Sequence, residues 1–447
     1  MSHPSPAYRP EIDGLRALAV IPVLLYHAGF GFPGGFAGVD VFFVISGYLI
    51  GSVIVRETEE GSFRLHSFWI RRLRRLFPAL ATVVSATLAA GFLWLVPAHL
   101  RLLGESAAGQ FVFAANFQFW RRSGYFDPAS EHFPLLHTWS LAVEEQFYLL
   151  LPLVLVPLLR RWGRKAAMAV VAAFIAASLL WCLHITARDP GMAFYLLPSR
   201  IWELDLGLLL ALWGRRGFGS ARADSAGSLL GLGAIAASYF LYDAGTPYPG
   251  SAALLPCLGT GLFLFCNSGG VAAGGRWLAR PAPVWVGRVS YPLYLWHWPC
   301  LVFLGYAWID PSASMRAGAL LLSLVLAWAT WRWVEEPVRR RRVLASTGRL
   351  VAVCGAVAAL LFGAGLLVYQ KDGFPDEEER RAAAETGFGG ESGGFYTLAD
   401  WEQRGGPPLA GAGSPDAPKV LLWGDSHAGA VMPVLDDLGK EFGVTVY

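Results

Sequence analysis

The chain has 447 residues, of which 55% are hydrophobic, 14% aromatic and only 15% charged. Soluble domains carry about 25% charged residues, so a single water-soluble domain is excluded. With 36 Lys and Arg against 33 Asp and Glu the formal net charge is +3, and so even a balance offers nucleic acid no basic field.

Crossing a bilayer takes about 20 mostly apolar residues. Runs of that kind lie at 14–30, 36–55, 78–96, 141–159, 166–186, 201–213, 228–243, 250–267, 289–307, 317–334 and 350–370. The fold class expected is therefore mostly α: a polytopic bundle of ten core spans plus an eleventh, linking span. The polar stretch Met1 to Asp13 leads straight into the first run, which reads as a retained span and not a removable signal. Residues 102–119 are ambiguous, because Glu105, Gln110, Asn116 and Gln118 dilute their apolar content. Lys and Arg decide the matter. Without a crossing there, and with the N-terminus inside, the inner segments hold 23 Lys or Arg and the outer ones 6. A crossing would put the Arg160 to Lys165 cluster outside, so 102–119 is read as re-entrant or interfacial. The five cysteines show no metal-ligand or redox spacing and read as core or lipid-facing residues.

Ionisable groups near a span must pair, reach water or have a function, since each costs at least about 2.5–3.5 kcal/mol at mid-membrane. Arg16 and His27 share one face of the first span with Val20 and Val23. A lone membrane histidine is either a hydrogen-bonded structural residue or a catalyst. GVDVFFVISGYLI (38–50) puts Asp40 at the start of the second span. There it is either a helix N-terminal charge or, across a short Gly-rich turn, the carboxylate that orients His27 as a general base. FWIRRLRRLFP (68–78) carries two arginine pairs at i, i+3, Arg71 with Arg74 and Arg72 with Arg75, just before Pro78 starts a span. These either set topology and touch anionic lipid or clamp phosphate groups of a cytosolic ligand. HTWSLAVEEQFYLL (137–150) places Ser140, Glu144 and Tyr148 on one helical face, with Glu145 pointing elsewhere. In RIWELDLG (200–207) Arg200 and Glu203 lie one turn apart, which intrahelical pairing explains. In VSYPLYLWHWP (289–299) Ser290, Tyr294 and His297 share a face, where interfacial aromatics account for much of the pattern.

Composition changes at Lys371. Residues 371–418, rich in charge, Gly and Pro, read as an extracytoplasmic linker. The last stretch, 419–447, reads as a buried strand (419–423), a Gly-Asp-Ser turn, a helix (428–440) and a second strand from Val444, the opening βαβ unit of an α/β domain. GDSH (424–427) between strand and helix would expose Ser426 as a nucleophile near helix-terminal N–H donors.

The segments YRPEIDGLRALAVIPVLLYH, GVDVFFVISGYLI, FWIRRLRRLFPAL, HTWSLAVEEQFYLLLP, RIWELDLG, VSYPLYLWHWP and EEPVR occur in the order of the integral-membrane acyltransferase-3 family. The chain resembles a member of that family over 8–342, joined through a linking helix (350–370) to the start of an SGNH-hydrolase-like domain (419–447). The resemblance implies a membrane O-acyltransferase, most often an O-acetyltransferase, of a bacterial inner membrane, with the N-terminus cytoplasmic and the C-terminal domain extracytoplasmic. Acyl-coenzyme A would be the donor, with no permanently bound cofactor and no metal. An extracytoplasmic glycan such as lipopolysaccharide O-antigen, peptidoglycan or exopolysaccharide would be the acceptor, with membrane lipids as surroundings. It also implies that His27 is the essential histidine and Arg16 its companion, that Arg71, Arg72, Arg74 and Arg75 face the donor's phosphates, that Glu144 or Glu145 belongs to the central site, and that Ser426 is the SGNH nucleophile. The later SGNH blocks would lie beyond Tyr447, so the chain as it stands is not expected to complete transfer through Ser426. The alternative function is a secondary transporter of an acylated or glycan precursor, which membrane ionisables also fit; the paired, broken repeats of such transporters are not seen in the sequence.

Overall fold

The computed structural model describes residues 8–122, 133–214, 217–308 and 310–375, together with the strand residues 410–411, 419–420 and 445–446. The chain divides into two compact units, Met1–Gly373 and Phe374–Tyr447.

The first unit is helical. Its helices are α1 (Pro10–His27), α2 (Gly38–Glu59), α3 (Leu65–Trp94), α4 (Pro97–Phe111), α5 (Ala115–Arg122), α6 (Trp139–Thr186), α7 (Pro190–Tyr195), α8 (Leu197–Trp213), α9 (Ala221–Leu241), α10 (Leu254–Cys266), α11 (Ala273–Leu278), α12 (Pro281–Ala307), α13 (Ala313–Thr330), α14 (Glu336–Arg339) and α15 (Thr347–Gln370). A π turn at Trp331–Glu335 joins α13 to α14. Each of the eleven apolar runs falls on one of these helices. Among the described residues, five helical stretches are long and apolar enough to cross a membrane by length and composition alone: Gly35–Glu59, Leu65–Trp94, Leu136–Thr186, Ala313–Arg339 and Thr347–Gln370. The runs at 141–159 and 166–186 both lie within α6, where Gly163 at φ 76°, ψ −178° interrupts the helix. That conformation is open to glycine and strained for other residues.

The segment 102–119 does break. Phe113 takes φ 57° between α4 and α5, and 15 residues of α4 rise only about 22 Å, short of the hydrocarbon thickness. The amide of Gln146 bridges the break, donating to the Phe113 carbonyl at 2.7 Å and to Asn116 Oδ1 at 2.9 Å. Asn116 Nδ2 in turn donates to the Tyr195 carbonyl at 3.1 Å. The apolar run from Pro78 and the arginines before it lie on one helix, α3, which begins at Leu65; Pro78 stands inside it, because a membrane helix tolerates the lost hydrogen bond where neighbours support it. The arginines are therefore on the same rigid rod as the apolar residues that follow.

The bundle is apolar outside and polar within. On α6, Leu149, Leu150, Leu153 and Val154 are exposed, whereas Ser140 and Tyr148 are buried. Close helix contacts rest on small residues, as in membrane bundles generally. A Cβ at Gly47 would lie 1.7 Å from the Leu204 carbonyl oxygen, and one at Gly207 would lie 2.0 Å from that of Val44, so α2 and α8 meet backbone to backbone. A Cβ at Gly287 would lie 1.8 Å from the Asp13 carbonyl oxygen, which brings α12 against α1. Inside α1, Pro22 has no N–H for the Leu18 carbonyl; the Tyr239 hydroxyl donates to that oxygen instead, at 3.2 Å.

In the second unit, β1 (Ala410–Gly411), β2 (Lys419–Val420) and β3 (Thr445–Val446) form a sheet in the order β1-β3-β2. β3 pairs antiparallel with β1 and parallel with β2, Lys419 opposite Thr445. The turn and helix expected between β2 and β3, Ser426 included, lie outside the described residues.

Candidate active site

A cavity of about 70 Å³ lies among α1, α2, α3, α6 and α12. Arg16, Arg72 and Arg75 line it together with Ser46, Ser140, Glu144, Tyr148, Ser290, Tyr291 and Tyr294. Helical periodicity explains the selection: Phe42, Ser46, Leu49 and Ile50 share one face of α2, as do Arg72, Arg75 and Leu76 on α3. On α6 it is Ser140, Glu144 and Tyr148 that face inward, while Glu145 is not part of the lining. Glu144 is held at both oxygens, Oε1 accepting from Ser46 Oγ at 2.8 Å and Oε2 from the Tyr148 hydroxyl at 3.3 Å. Ser140 Oγ and the Tyr294 hydroxyl are 2.8 Å apart, and the latter donates to the His137 carbonyl at 2.9 Å.

The arginine quartet divides in two. Arg71 makes a bidentate pair with Glu57 at 2.9 and 2.8 Å, and Arg74 is buried against the Leu344 and Ala345 carbonyls at 2.6 and 3.0 Å. Neither points into the cavity, because the i, i+3 pairs of α3 look in different directions and only the Arg72–Arg75 pair turns inward. Among the described residues Arg72 and Arg75 form no ion pair, and Arg16 has only a 3.7 Å contact with Asp13. The guanidinium of Arg72 lies 5.9 Å from the centre of the Tyr148 ring. The cavity thus holds three cations against the single carboxylate of Glu144.

His27, on α1, meets a second imidazole: its Nδ1 is 3.0 Å from Nε2 of His297, with the two rings inclined by 12°. Trp298 packs its edge against His27 at 4.7 Å between ring centres. His297 Nδ1 is 2.6 Å from the carbonyl of Tyr294, the residue whose ring lines the cavity. His137 packs against both Tyr294 and His297, at 5.4 and 5.5 Å between ring centres.

Asp40 belongs to another cluster, which corrects the expectation that it orients His27. Its Oδ1 is 3.2 Å from Arg200 Nη1 and its Oδ2 accepts from the Tyr248 hydroxyl at 2.6 Å. Arg200 Nη1 also lies 2.9 Å from Glu203 one turn along α8, the intrahelical pair expected. The rings of Phe43, Trp139, Phe194 and Tyr248 surround the guanidinium at 5.4 to 5.9 Å, a cation–π cage around a fully buried cation. The reason is geometric: the glycine contact between α2 and α8 brings their polar residues together, and Asp40 takes the nearest cation. Asp40, Glu203 and Cys257 have ligand atoms close enough for a metal ion, but Arg200 Nη1 already fills the place a cation would take between the two carboxylates.

Several residues in this arrangement were not singled out from sequence, among them Ser46, His137, Tyr248, Tyr291 and Trp298. Ser46 carried a signal, a hydroxyl in register with Phe42 and Ile50 on an otherwise apolar face. His137 carried none, since it sits in a single 3₁₀ turn, Leu136–Thr138, where no periodicity operates.

A family model described as "Acyltransferase domain" matches residues 9–332, which is most of the chain. The chain belongs to the acyltransferase-3 family. A second model, described as "SGNH domain (fused to AT3 domains)", matches residues 395–447. Among curated relatives of this acyltransferase, a Komagataeibacter xylinus protein named "Putative membrane-bound transacylase BcsY" is 34% identical over 364 residues, 79% of this chain and 90% of the relative. A Staphylococcus aureus protein named "Putative O-acetyltransferase SAS0844" is 32% identical over 76% of this chain and 59% of its own length. A Listeria monocytogenes protein named "Peptidoglycan O-acetyltransferase OatA" is 31% identical over 74% of this chain and 56% of its own length. The acyltransferase therefore spans less than two thirds of the O-acetyltransferases it matches. No solved structure matches the chain. Family and helices together make it a multi-pass membrane acyltransferase.

Proposed function

We propose that this membrane acyltransferase takes an acetyl group from cytosolic acetyl-coenzyme A and leads to its transfer onto a hydroxyl of an extracytoplasmic glycan. The observation that carries this reading is the cavity lined by Arg16, Arg72 and Arg75, of which Arg72 and Arg75 form no ion pair among the described residues. Guanidinium groups suit phosphate oxygens, and here they stand at one end of a polar path that runs through Glu144 and Tyr294 to His297 and His27. In this reading the donor's phosphates are held by the three arginines, and its thioester lies toward His27. His27 takes the proton of the acceptor hydroxyl as that oxygen attacks the thioester carbonyl; the C–S bond breaks, and the coenzyme A thiolate leaves. Glu144, fixed by Ser46 and Tyr148, orients the donor's polar groups. In this reading the acyl group is relayed to Ser426 and then to the glycan. The membrane is the bacterial inner membrane, with the N-terminus in the cytoplasm. The name of the Listeria relative supports a glycan acceptor of the peptidoglycan kind.

The test is release of free coenzyme A from acetyl-coenzyme A by the purified chain in lipid nanodiscs, with a soluble peptidoglycan fragment added as the hydroxyl acceptor. His27→Ala should lower the rate by about 10²- to 10⁴-fold, the usual range for loss of a general base. Release at the native rate would reject the reading.

A further inference from the structure

We propose that His297 is a positioning residue that sets the tautomer of His27. This rests on the reading of His27 as the base. The chain of reasoning starts at a carbonyl, which can only accept. His297 Nδ1 lies 2.6 Å from the Tyr294 carbonyl oxygen, so that nitrogen carries the hydrogen. A neutral imidazole has one N–H, and a second proton on a ring so deeply buried, where the described residues place no carboxylate against it, is costly. His297 Nε2 is then an acceptor. The hydrogen bond between the two rings, 3.0 Å long, requires His27 Nδ1 to be its donor. The lone pair of His27 is thereby placed on Nε2, the nitrogen turned away from His297.

The same role falls to a carboxylate in many histidine bases; here a second imidazole and a helix carbonyl perform it. The geometry is held by parts already described. The contact of Gly287 with Asp13 draws α12 against α1, Tyr294 is tied through its hydroxyl to the His137 carbonyl, and Trp298 packs against His27 on the far side. When the acceptor hydroxyl is deprotonated its proton goes to His27 Nε2, and the imidazolium formed keeps its Nδ1–H on His297. It can then return the proton to the departing thiolate, so the cycle ends with both imidazoles neutral.

Three substitutions separate this role from simple packing. His297→Gln keeps an acceptor oxygen near the place of Nε2 and gives up the bond to Tyr294. His297→Asn keeps a donor near the place of Nδ1 and gives up the acceptor. His297→Leu removes both. In nanodiscs, with acetyl-coenzyme A as the probe, Leu and Asn should lower kcat by about 10- to 1,000-fold while KM stays within about threefold, and Gln should recover most of the loss. Recovery by Asn and not Gln, or kcat within about threefold of native for all three, would overturn the inference. Should none of the variants fold, ring-¹⁵N spectra of native protein decide. The His27 signal, identified by its absence in His27→Ala, should show a protonated Nδ1 and a bare Nε2, and the opposite tautomer would overturn the inference. If His27→Ala leaves turnover intact, the functional reading itself falls; if it abolishes turnover while the His297 variants do not, only the present inference falls.

Discussion

Two polar clusters lie inside the same bundle, built from the same residue types, and they differ in how their charges are met. Around Arg200 the cation lies within ion-pairing distance of both Asp40 and Glu203, Asp40 is held in turn by the Tyr248 hydroxyl, and four aromatic rings enclose the guanidinium. Around Glu144 the cations Arg72 and Arg75 have no carboxylate within ion-pairing distance among the described residues, and a cavity lies between them. Burying charge is tolerated when it is paired on the spot. Where pairing is left undone, an anion bound from outside can supply the missing charge. The first cluster therefore reads as architecture and the second as a binding site, although composition alone does not tell them apart.

This contrast can be broken by substitutions that should act on one cluster and spare the other. The largest effect is expected for Arg200→Met, which strands two carboxylates in the interior and should cost about 3–5 kcal/mol of stability. Thermal unfolding in detergent would register it as a large fall in midpoint and in yield of folded protein, and an unchanged midpoint would contradict the structural role. Next come Arg72→Gln and Arg75→Gln. Each should weaken acetyl-coenzyme A binding by about 10- to 100-fold, the loss of a charge-assisted hydrogen bond worth about 1.5–3 kcal/mol. Both should leave the unfolding midpoint unchanged, and titration calorimetry beside the melting curves would report the two quantities separately. The smallest effect belongs to Arg71→Gln. Arg71 itself is exposed, and an ion pair at the surface contributes about 0–1 kcal/mol, so binding should change by less than about threefold. A loss as large as that of Arg75→Gln would restore Arg71 to the clamp.

Much of this was legible from periodicity. The helices follow the apolar runs, the break near 112–114 follows the polar dilution of 102–119, and Ser140, Glu144 and Tyr148 face inward as i, i+4, i+8 spacing on one helix demands. Partner choice was not legible, for a physical reason. Asp40 is bound by Arg200 and Tyr248, and His27 by His297, residues brought together only by close crossings of α2 with α8 and of α1 with α12. Local spacing placed Asp40 beside His27 because the turn between them is short; it could not weigh that against a cation on α8. The four arginines likewise had equal claims until Glu57 and the carbonyls of 344 and 345 removed two of them.

The paired glycines of α2 and α8 carry a mechanical consequence. With main chain resting on main chain at Gly47 and Gly207, no flexible side chain lies between the helices to act as a cushion. The wall bearing Ser46 can recede only if α8 recedes with it, carrying Arg200 and the rings around it. Any widening of the chamber on this side would have to move two helices as a block.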